Sequence, residues 1–366
     1  MSPRVYFFLR PQGAPEAAGY QHCLVALAEG LEELGIPFGA NRDYWKEDGR
    51  VLFRRDEALR PEDCEVLMTS DEYTGSGGEM PASLLDGRRR TVYVDSSDGW
   101  RTRAEAPEYR RFDLVLRTHY NRRYRYPGNV KPWAFGLTRR IIGACGGAGG
   151  SVPGFAGREP RVLVNFRVGH PVRQAAELLL APALAERFAI DRSVDEPPAS
   201  GPDRGLWEAT GRRHYPSFYA RLVSSRACAA FGGYFAPGLF GSTEALPERA
   251  LYAAFWRLGR RTRTVMQFDS WRFWESLAAG CLTLHVDLAA YGCALPVEPR
   301  PGEEYLGFDF DRRDCAAPLR ESSDEELGRI AAAGRSWALE HYSPRAQAAR
   351  LLQLLDAEAF GLRHLR

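Results

Sequence analysis

At 366 residues the chain exceeds the length at which one hydrophobic core stops growing, so two domains are expected. Hydrophobic residues account for 45% and charged residues for 26%, as in an ordinary globular protein, and no apolar run approaches the roughly 20 residues of a membrane helix. The net charge of +2 is too small to indicate a nucleic-acid partner.

Local features argue against several other classes of protein. The N-terminal segment has only a short apolar run before Pro11, which is typical of a first strand and not of a signal peptide, so we expect a cytoplasmic protein. Seven dispersed cysteines without a C-x-x-C pair argue against a disulfide framework and a zinc site. Arginine runs at 88–90, 122–125 and 260–263 favour solvated faces, because acidic residues are interspersed throughout; a nucleic-acid surface and phosphate binding to a small ligand are the alternatives.

The first half of the chain alternates β-like runs with a helical pattern. Residues 4–9 predict a strand, and 19–35 predict a helix that presents one leucine face before Gly35 ends it. Three further β-like runs follow, at 64–70, 90–97 and 112–119. This β-then-α order predicts a parallel sheet covered by helices on both faces.

The glycine-rich stretch 143–160 is too flexible for the interior of an element, which predicts a linker or hinge, with a mobile loop over an active site as the alternative. The pattern then restarts with a strand at 161–166. Further predicted elements are helices at 171–188, 216–233 and 271–281, a strand at 282–286, and a final helix with Ser343 as N-cap and Pro344 in its first turn.

These elements predict an α/β chain with two Rossmann-like parallel-sheet domains that face a cleft. The predicted parts are an N-terminal acceptor-binding domain at 1–142, the linker at 143–160, a C-terminal nucleotide-sugar-binding domain at 161–343 and a helix at 344–366 that crosses back towards the N-terminal domain. Ligands of such sheets bind at the C-terminal ends of the strands.

The segment FDSWRFWESLAAGCLTLHVD, at 268–287, resembles the signature of GT-B glycosyltransferases, in which an acidic residue opens a helix reading E-x-L-A-x-G-C and a strand follows. The segment 214–235 resembles the preceding helix and strand of exostosin-like and CgeB-like transferases. In outline the resemblance covers residues 160–355, but only 268–287 is specific. It implies a GT-B fold with the donor site in the second half, where the carboxylate of Glu275 accepts hydrogen bonds from the ribose hydroxyls. An exposed helical glutamate is the alternative reading.

The same resemblance indicates further donor-binding residues. Arg167 and Arg173 flank His170 in the turn after the first strand of the second half, where GT-B enzymes commonly place a basic residue on the diphosphate. Arg272 is another candidate for the diphosphate, and pairing with a nearby carboxylate is the alternative for these arginines. Two more donor-site positions come from the S-x-R sequence and the small-residue turn of the segment, namely Ser270 and Gly280. The R-x-x-x-x-K pair of many retaining members is absent, so the stereochemical outcome stays open.

A catalytic base is expected in the first half. His22 lies near the start of the first helix, and Asp95 and Asp98 end a strand. Packing or capping is the alternative for His22, and turn formation is the alternative for the two aspartates. Weaker candidates follow neighbouring strands, at His119, Asp71 and Glu72.

The predicted function is glycosyl transfer from a nucleotide-diphosphate sugar to a small-molecule or glycan acceptor, in natural-product or glycan biosynthesis. No D-x-D motif has a metal-binding context, and the D-F-D at 309–311 predicts a loop, so we expect no metal and no cofactor besides the donor substrate. The aromatic-rich first half favours an acceptor surface. A nucleotide-sugar epimerase and a non-catalytic nucleotide-sugar-binding protein are the alternatives. We expect no nucleic-acid partner, and the oligomeric state is left open.

Overall fold

The computed structural model describes residues 3–10, 20–47, 49–56, 59–75, 80–97, 107–147, 152–164, 169–237 and 263–363. Within these ranges, two parallel β-sheets are flanked by helices, and two pairs of antiparallel strands form separate two-stranded sheets. The helices are α1 (His22–Glu33), α2 (Asp71–Gly75), α3 (Arg139–Ala144), α4 (Pro171–Arg187), α5 (Pro202–Ala209), α6 (Pro216–Ser224), α7 (Trp271–Ala278), α8 (Ala317–Glu321), α9 (Asp324–Tyr342) and α10 (Pro344–Arg363).

The first sheet has the spatial order β2-β1-β5-β6-β7-β8 in the described part of the chain, and all of its neighbouring strands are parallel. Apolar and β-branched residues dominate these strands, and they are buried because helices cover the faces of the sheet. Its strands are β1 (Val5–Phe7), β2 (Phe38–Ala40), β5 (Val66–Ser70), β6 (Arg90–Asp95), β7 (Leu114–Arg117) and β8 (Val130–Pro132); β3 (Tyr44–Glu47) and β4 (Arg50–Phe53) form a hairpin beside it.

The second sheet has the order β10-β9-β11-β14-β15 and is also parallel throughout the described residues. Small residues occupy its centre, where β11 lies between β9 and β14 and is almost fully buried. Its strands are β9 (Glu159–Leu163), β10 (Ala189–Asp191), β11 (Ser225–Ala229), β14 (Leu282–Val286) and β15 (Leu306–Phe308); β12 (Tyr234–Pro237) and β13 (Arg263–Met266) form a separate antiparallel pair.

The final helix packs against the first helix of the chain. Ala348 and Leu351 of α10 belong to the core that covers the first sheet. The two helices approach closely at Gly30, where a Cβ atom would lie 2.0 Å from the carbonyl oxygen of Pro344. A side chain at this position would therefore separate the helices.

Two sequence predictions differ from the structure. The helix predicted at 216–233 ends at Ser224, and β11 begins at Ser225, because this small-residue segment pairs with two buried strands. The predicted linker 143–160 contains the last residues of α3 and the first of β9, while 148–151 lie outside the described residues. The domain boundaries themselves stay a prediction.

Three further observations bear on what the sequence indicated. All seven cysteines are described, and each is buried and free of a disulfide, as expected for small interior residues. The described helices include none with the length and apolar character needed to cross a membrane. Within the same residues, no group of three or more His, Cys, Asp and Glu side chains is arranged to hold a metal ion. Metal independence stays a prediction.

Candidate active site

The carboxyl edges of the two sheets meet at Asp269, which lies just before α7. Its Oδ2 accepts a hydrogen bond from the backbone N–H of Phe135, 2.7 Å away, and its Oδ1 accepts one from Trp274 Nε1 at 2.6 Å. Burial raises the pKa of Asp269 to about 7. This carboxyl therefore joins the first half to the second and titrates near neutral pH.

His119 lies on the opposite side of the same junction, after β7. Its Nδ1 accepts a hydrogen bond from the backbone N–H of Asp269 at 3.2 Å, so the neutral ring carries its hydrogen on Nε2. Nε2 is buried and has no hydrogen-bond partner among the described residues. The backbone φ of His119 is 52°, a left-handed conformation that costs energy for a residue with a side chain. An unsatisfied buried donor on a strained residue is a feature of functional sites.

The pKa of His119 supports a donor role. Burial, reinforced by the positive charge of Arg117, lowers it to about 3. The ring is therefore neutral at physiological pH and offers an N–H at the junction of the two halves.

His22, a predicted base, has both ring nitrogens engaged in the interior. Its Nε2 donates to the carbonyl oxygens of Phe135 and Gly136, at 3.0 and 3.1 Å, and its Nδ1 lies 3.1 Å from the hydroxyl of Tyr20. The ring stacks on Trp271 with centroids 5.0 Å apart. Burial, followed by the charge of Arg140, lowers the pKa of His22 to about 3. These contacts favour the packing role over the catalytic one, and the base assignment stays a prediction.

Asp95, at the end of β6, is the centre of a buried ion pair. Its Oδ2 accepts hydrogen bonds from Arg117 Nη1 and from the hydroxyl of Tyr109, and its Oδ1 accepts one from Ser97 Oγ at 2.5 Å. The side chains of Asp95 and Arg117 are each 1% exposed. Both oxygens of the Asp95 carboxylate therefore accept hydrogen bonds from neighbouring side chains, which favours a structural role. Asp98 lies outside the described residues.

Two other carboxyl groups lie at the same edge. Asp71 Oδ1 accepts hydrogen bonds from the backbone N–H and the hydroxyl of Ser96, both at 2.8 Å, and Glu72 Oε1 lies 2.8 Å from the same hydroxyl. Burial raises the pKa of Asp71 well above its ordinary value, and the charges of Glu72 and Asp95 add to the effect. The edge of the first sheet therefore carries a carboxyl group that holds its proton more tightly than usual.

Three of the predicted donor residues surround one loop of the second half, the segment 230–233 after β11. Arg173 Nε donates to the carbonyl oxygen of Phe231 at 2.9 Å, and Ser270 Oγ donates to that of Ala230 at 3.5 Å. His170 Nδ1 accepts a hydrogen bond from a backbone N–H of the same loop at 3.3 Å. The structure brings these three side chains together at the C-terminal edge of the second sheet. Arg167 lies outside the described residues.

Glu275 lies one turn into α7 and is 4% exposed. Its Oε1 accepts a hydrogen bond from the hydroxyl of Tyr219 at 2.6 Å. Its Oε2 accepts no hydrogen bond from the described residues. The carboxylate is therefore buried, held on one side and open to a donor on the other.

The two remaining candidates are placed differently. The guanidinium of Arg272 lies 6.0 Å from the ring centroid of Phe218, and its buried Nε has no hydrogen-bond partner among the described residues. Gly280 ends α7 with φ at 68° and approaches Arg158 and Arg335. Because an eight-residue helix is about 12 Å long, Gly280 lies well away from Ser270 at the other end. Its placement favours a helix-ending role, and its donor contact stays a prediction.

A cavity of about 760 Å³ lies beside Tyr219, within the size range of small-molecule sites. It is lined by side chains of both halves, including Arg50 and Leu52 of the β3–β4 hairpin and Arg140, His214 and Tyr219. The mixture of polar and apolar side chains in its lining is typical of sites that bind small molecules.

No protein-family model and no curated protein sequence matches the chain. Solved structures do match. An alpha-glucosyltransferase (AGT) in complex with UDP superposes with a TM-score of 0.51 at 9% identity, over 97% of this chain and 100% of that one. An alpha-glucosyltransferase in complex with UDP-glucose and DNA containing an abasic site gives the same TM-score, identity and coverage. Anabaena Alr3699/HepE in complex with UDP and glucose covers 97% of this chain at 12% identity, but with a TM-score of 0.41.

The protein has the GT-B glycosyltransferase fold. This confirms the architecture predicted from the segment 268–287. At such low identity the likeness establishes the fold alone, and the roles of individual side chains in this GT-B chain rest on its own geometry.

Within the GT-B framework, sequence reasoning missed three residues of the buried polar network around Glu275. They are Arg140, His214 and Tyr219, which come from separate helices and loops. In the sequence, Tyr219 was recognisable only as one residue of an amphipathic pattern. Sequence reasoning also missed Asp269, although this acidic residue lies inside the 268–287 segment, next to the N-cap of α7.

Proposed function

We propose that the protein transfers a sugar from a uridine diphosphate sugar to a hydroxyl group of a small-molecule or glycan acceptor, in natural-product or glycan biosynthesis. The GT-B likeness carries this proposal, since it extends over 97% of the chain and the alpha-glucosyltransferase structures contain UDP or UDP-glucose. The proposed donor needs no resident cofactor and no metal. That the acceptor is not a nucleic acid also stays a prediction.

In this proposal the nucleotide binds the second half. Glu275 supports a ribose contact, because its open Oε2 is an acceptor in a buried place and charge-assisted hydrogen bonds to it are strong. Ser270, His170 and Arg173 lie around the loop after β11, next to the first turn of α7, and the N-terminal end of a helix favours an anion. We assign the diphosphate to this edge, with Arg272 nearby on α7.

We assign to His119 a hydrogen bond from Nε2–H to the transferred sugar or the diphosphate. The neutral ring is held by the backbone N–H of Asp269, so its donor is already directed before substrate binds. A preorganised donor in a dry site stabilises developing negative charge better than a mobile one.

The binding test is a calorimetric titration with UDP of the wild type and of Glu275→Gln. The amide keeps the size of the side chain but loses the charge, so we expect UDP affinity to fall by about 1.5–3 kcal/mol, or about 10- to 150-fold. Glu340→Gln on the exposed face of α9 is the matched control and should bind UDP as the wild type does. Equal UDP affinity in the Glu275→Gln and wild-type proteins would remove Glu275 from the donor site.

The activity test uses a panel of UDP-sugars with and without acceptors. Release of UDP only when an acceptor is present supports the proposal. An isomerised sugar nucleotide would indicate the epimerase, and binding without turnover would indicate the non-catalytic alternative.

A further inference from the structure

Two consecutive hydrogen bonds connect the region between the sheets to Glu275. Arg140 Nη1, on α3, donates to the hydroxyl of Tyr219 at 2.8 Å, and this hydroxyl donates to Glu275 Oε1 at 2.6 Å. The three residues are 3%, 3% and 4% exposed. They therefore form one buried unit that extends from α3 through α6 to α7.

The direction of both hydrogen bonds follows from the groups involved. A guanidinium only donates and a carboxylate only accepts, so the phenol between them must accept from Arg140 and donate to Glu275. Burial raises the pKa of Tyr219 well above its ordinary value, so the phenol keeps its hydrogen at physiological pH. Its single hydrogen is thus committed to Oε1.

The guanidinium at the start of the unit is fixed by other contacts. Arg140 Nη1 also lies 3.1 Å from Nδ1 of His214, whose pKa is lowered to about 4 by burial and by the Arg140 charge, so this imidazole is neutral and accepts. The guanidinium carbon lies 5.5 and 5.9 Å from the ring centroids of Tyr20 and Trp271, within cation–π distance. Arg140 is therefore an anchored charge.

We propose that Tyr219 and Arg140 are positioning residues that hold Glu275 with Oε2 directed at the ribose hydroxyls of the donor. A glutamate side chain has several rotatable bonds, and fixing it before the ligand arrives removes an entropic cost from binding. The inference rests on the ribose contact assigned to Glu275 in the proposed function. It adds that recognition of the ribose depends on residues that act through Glu275.

The test compares UDP with 2′,3′-dideoxy-UDP, which lacks both ribose hydroxyls, by calorimetry. We expect the wild type to prefer UDP by about tenfold or more, the value of a hydrogen bond to a charged group. Glu275→Gln should reduce this ratio, and Tyr219→Phe should reduce it by most of the same factor. A purely structural loss would weaken both ligands equally and leave the ratio unchanged.

Tyr215→Phe is the matched control, because it lies just before the same helix and its hydroxyl makes no hydrogen bond with the described residues. It should keep the wild-type ratio. Arg140→Lys keeps the positive charge but loses the forked donor, so it should also lower the ratio, and it tests the unit if Tyr219→Phe fails to fold.

Failure of the inference and of the proposed function give different results. If the wild type prefers UDP and Glu275→Gln removes the preference while Tyr219→Phe keeps it, the positioning role is wrong and the ribose contact stands. If the wild type does not bind UDP, or does not distinguish the two nucleotides, the ribose contact is wrong and the positioning role falls with it.

Discussion

Replacing Asp269 with asparagine should change how the stability of the protein depends on pH. The wild-type carboxyl accepts hydrogen bonds from Phe135 and Trp274 and is buried, and its pKa rises from 3.8 to about 7. The asparagine has nearly the same shape and no ionisable group. Any pH dependence that disappears in this variant therefore belongs to Asp269.

The sign and size of this pH dependence of stability follow from proton linkage. Between about pH 4 and pH 7 the folded protein keeps a proton on Asp269 that the unfolded chain has released, so stability falls as pH rises and levels off above about pH 7. Each unit of pKa difference is worth about 1.4 kcal/mol, so the total is of order 4 kcal/mol. Below pH 4 this contribution is fully present.

The assay is urea unfolding at intervals from pH 4.5 to pH 8 for the wild type, Asp269→Asn and Asp356→Asn, an exposed control on α10. The free energy of unfolding of the wild type minus that of Asp269→Asn should fall with rising pH by about 1.4 kcal/mol per unit up to pH 7. The same difference for the exposed control should stay flat. Parallel curves for the wild type and Asp269→Asn would refute the raised pKa.

Two further substitutions test buried charges in the first half. In urea unfolding, Glu29→Gln should gain stability relative to the wild type as pH rises from 5 to 8. Burial raises the pKa of Glu29 to about 8, so the folded wild type keeps a proton that the unfolded chain has already released, and its stability falls as pH rises. A stability difference that stays constant with pH would contradict this. Asp95→Asn should lower the free energy of unfolding by about 3–5 kcal/mol, since it leaves the Arg117 charge buried without its carboxylate; an unchanged unfolding midpoint would mean that this ion pair adds nothing net.

The elements that sequence reasoning predicted well are those with a strong local pattern. The run Val66–Ser70 is apolar and ends in small polar residues, and the segment 268–287 combines a helix, a glycine stop and an apolar strand. Helix α9 was missed although its start was readable, because Ser323 and Glu326 form a capping box before an amphipathic stretch. The β3–β4 hairpin was missed because its two strands, YWKE and RVLF, are short and show no clear alternation of polar and apolar residues.

The site was less predictable because its parts come from distant segments. Arg140, Tyr219 and Glu275 are brought together only by the tertiary structure, and no spacing in the sequence relates them. Conversely, His22 and Asp95 have residue types suited to a base, but the sequence does not show that their polar atoms are engaged by the interior. Burial and hydrogen bonding, not residue type, separate a base from a structural group.

Burial and hydrogen bonding also limit where the proton of an acceptor hydroxyl can go. A base must be reachable by the acceptor and must have a pKa near the working pH. Asp95 fails the first condition because Arg117, Tyr109 and Ser97 already use its oxygens. His119 carries its hydrogen on the nitrogen that is not bonded to Asp269, so it donates and does not accept.

Burial raises the pKa of Asp71, at the edge of the first sheet, well above its ordinary value. Its proton affinity is higher than that of an exposed aspartate, and Ser96 holds it in place through two hydrogen bonds. Both hydrogen bonds from Ser96 reach one oxygen of Asp71, Oδ1, whereas both oxygens of Asp95 are engaged by its neighbours, and the identity of the base stays a prediction.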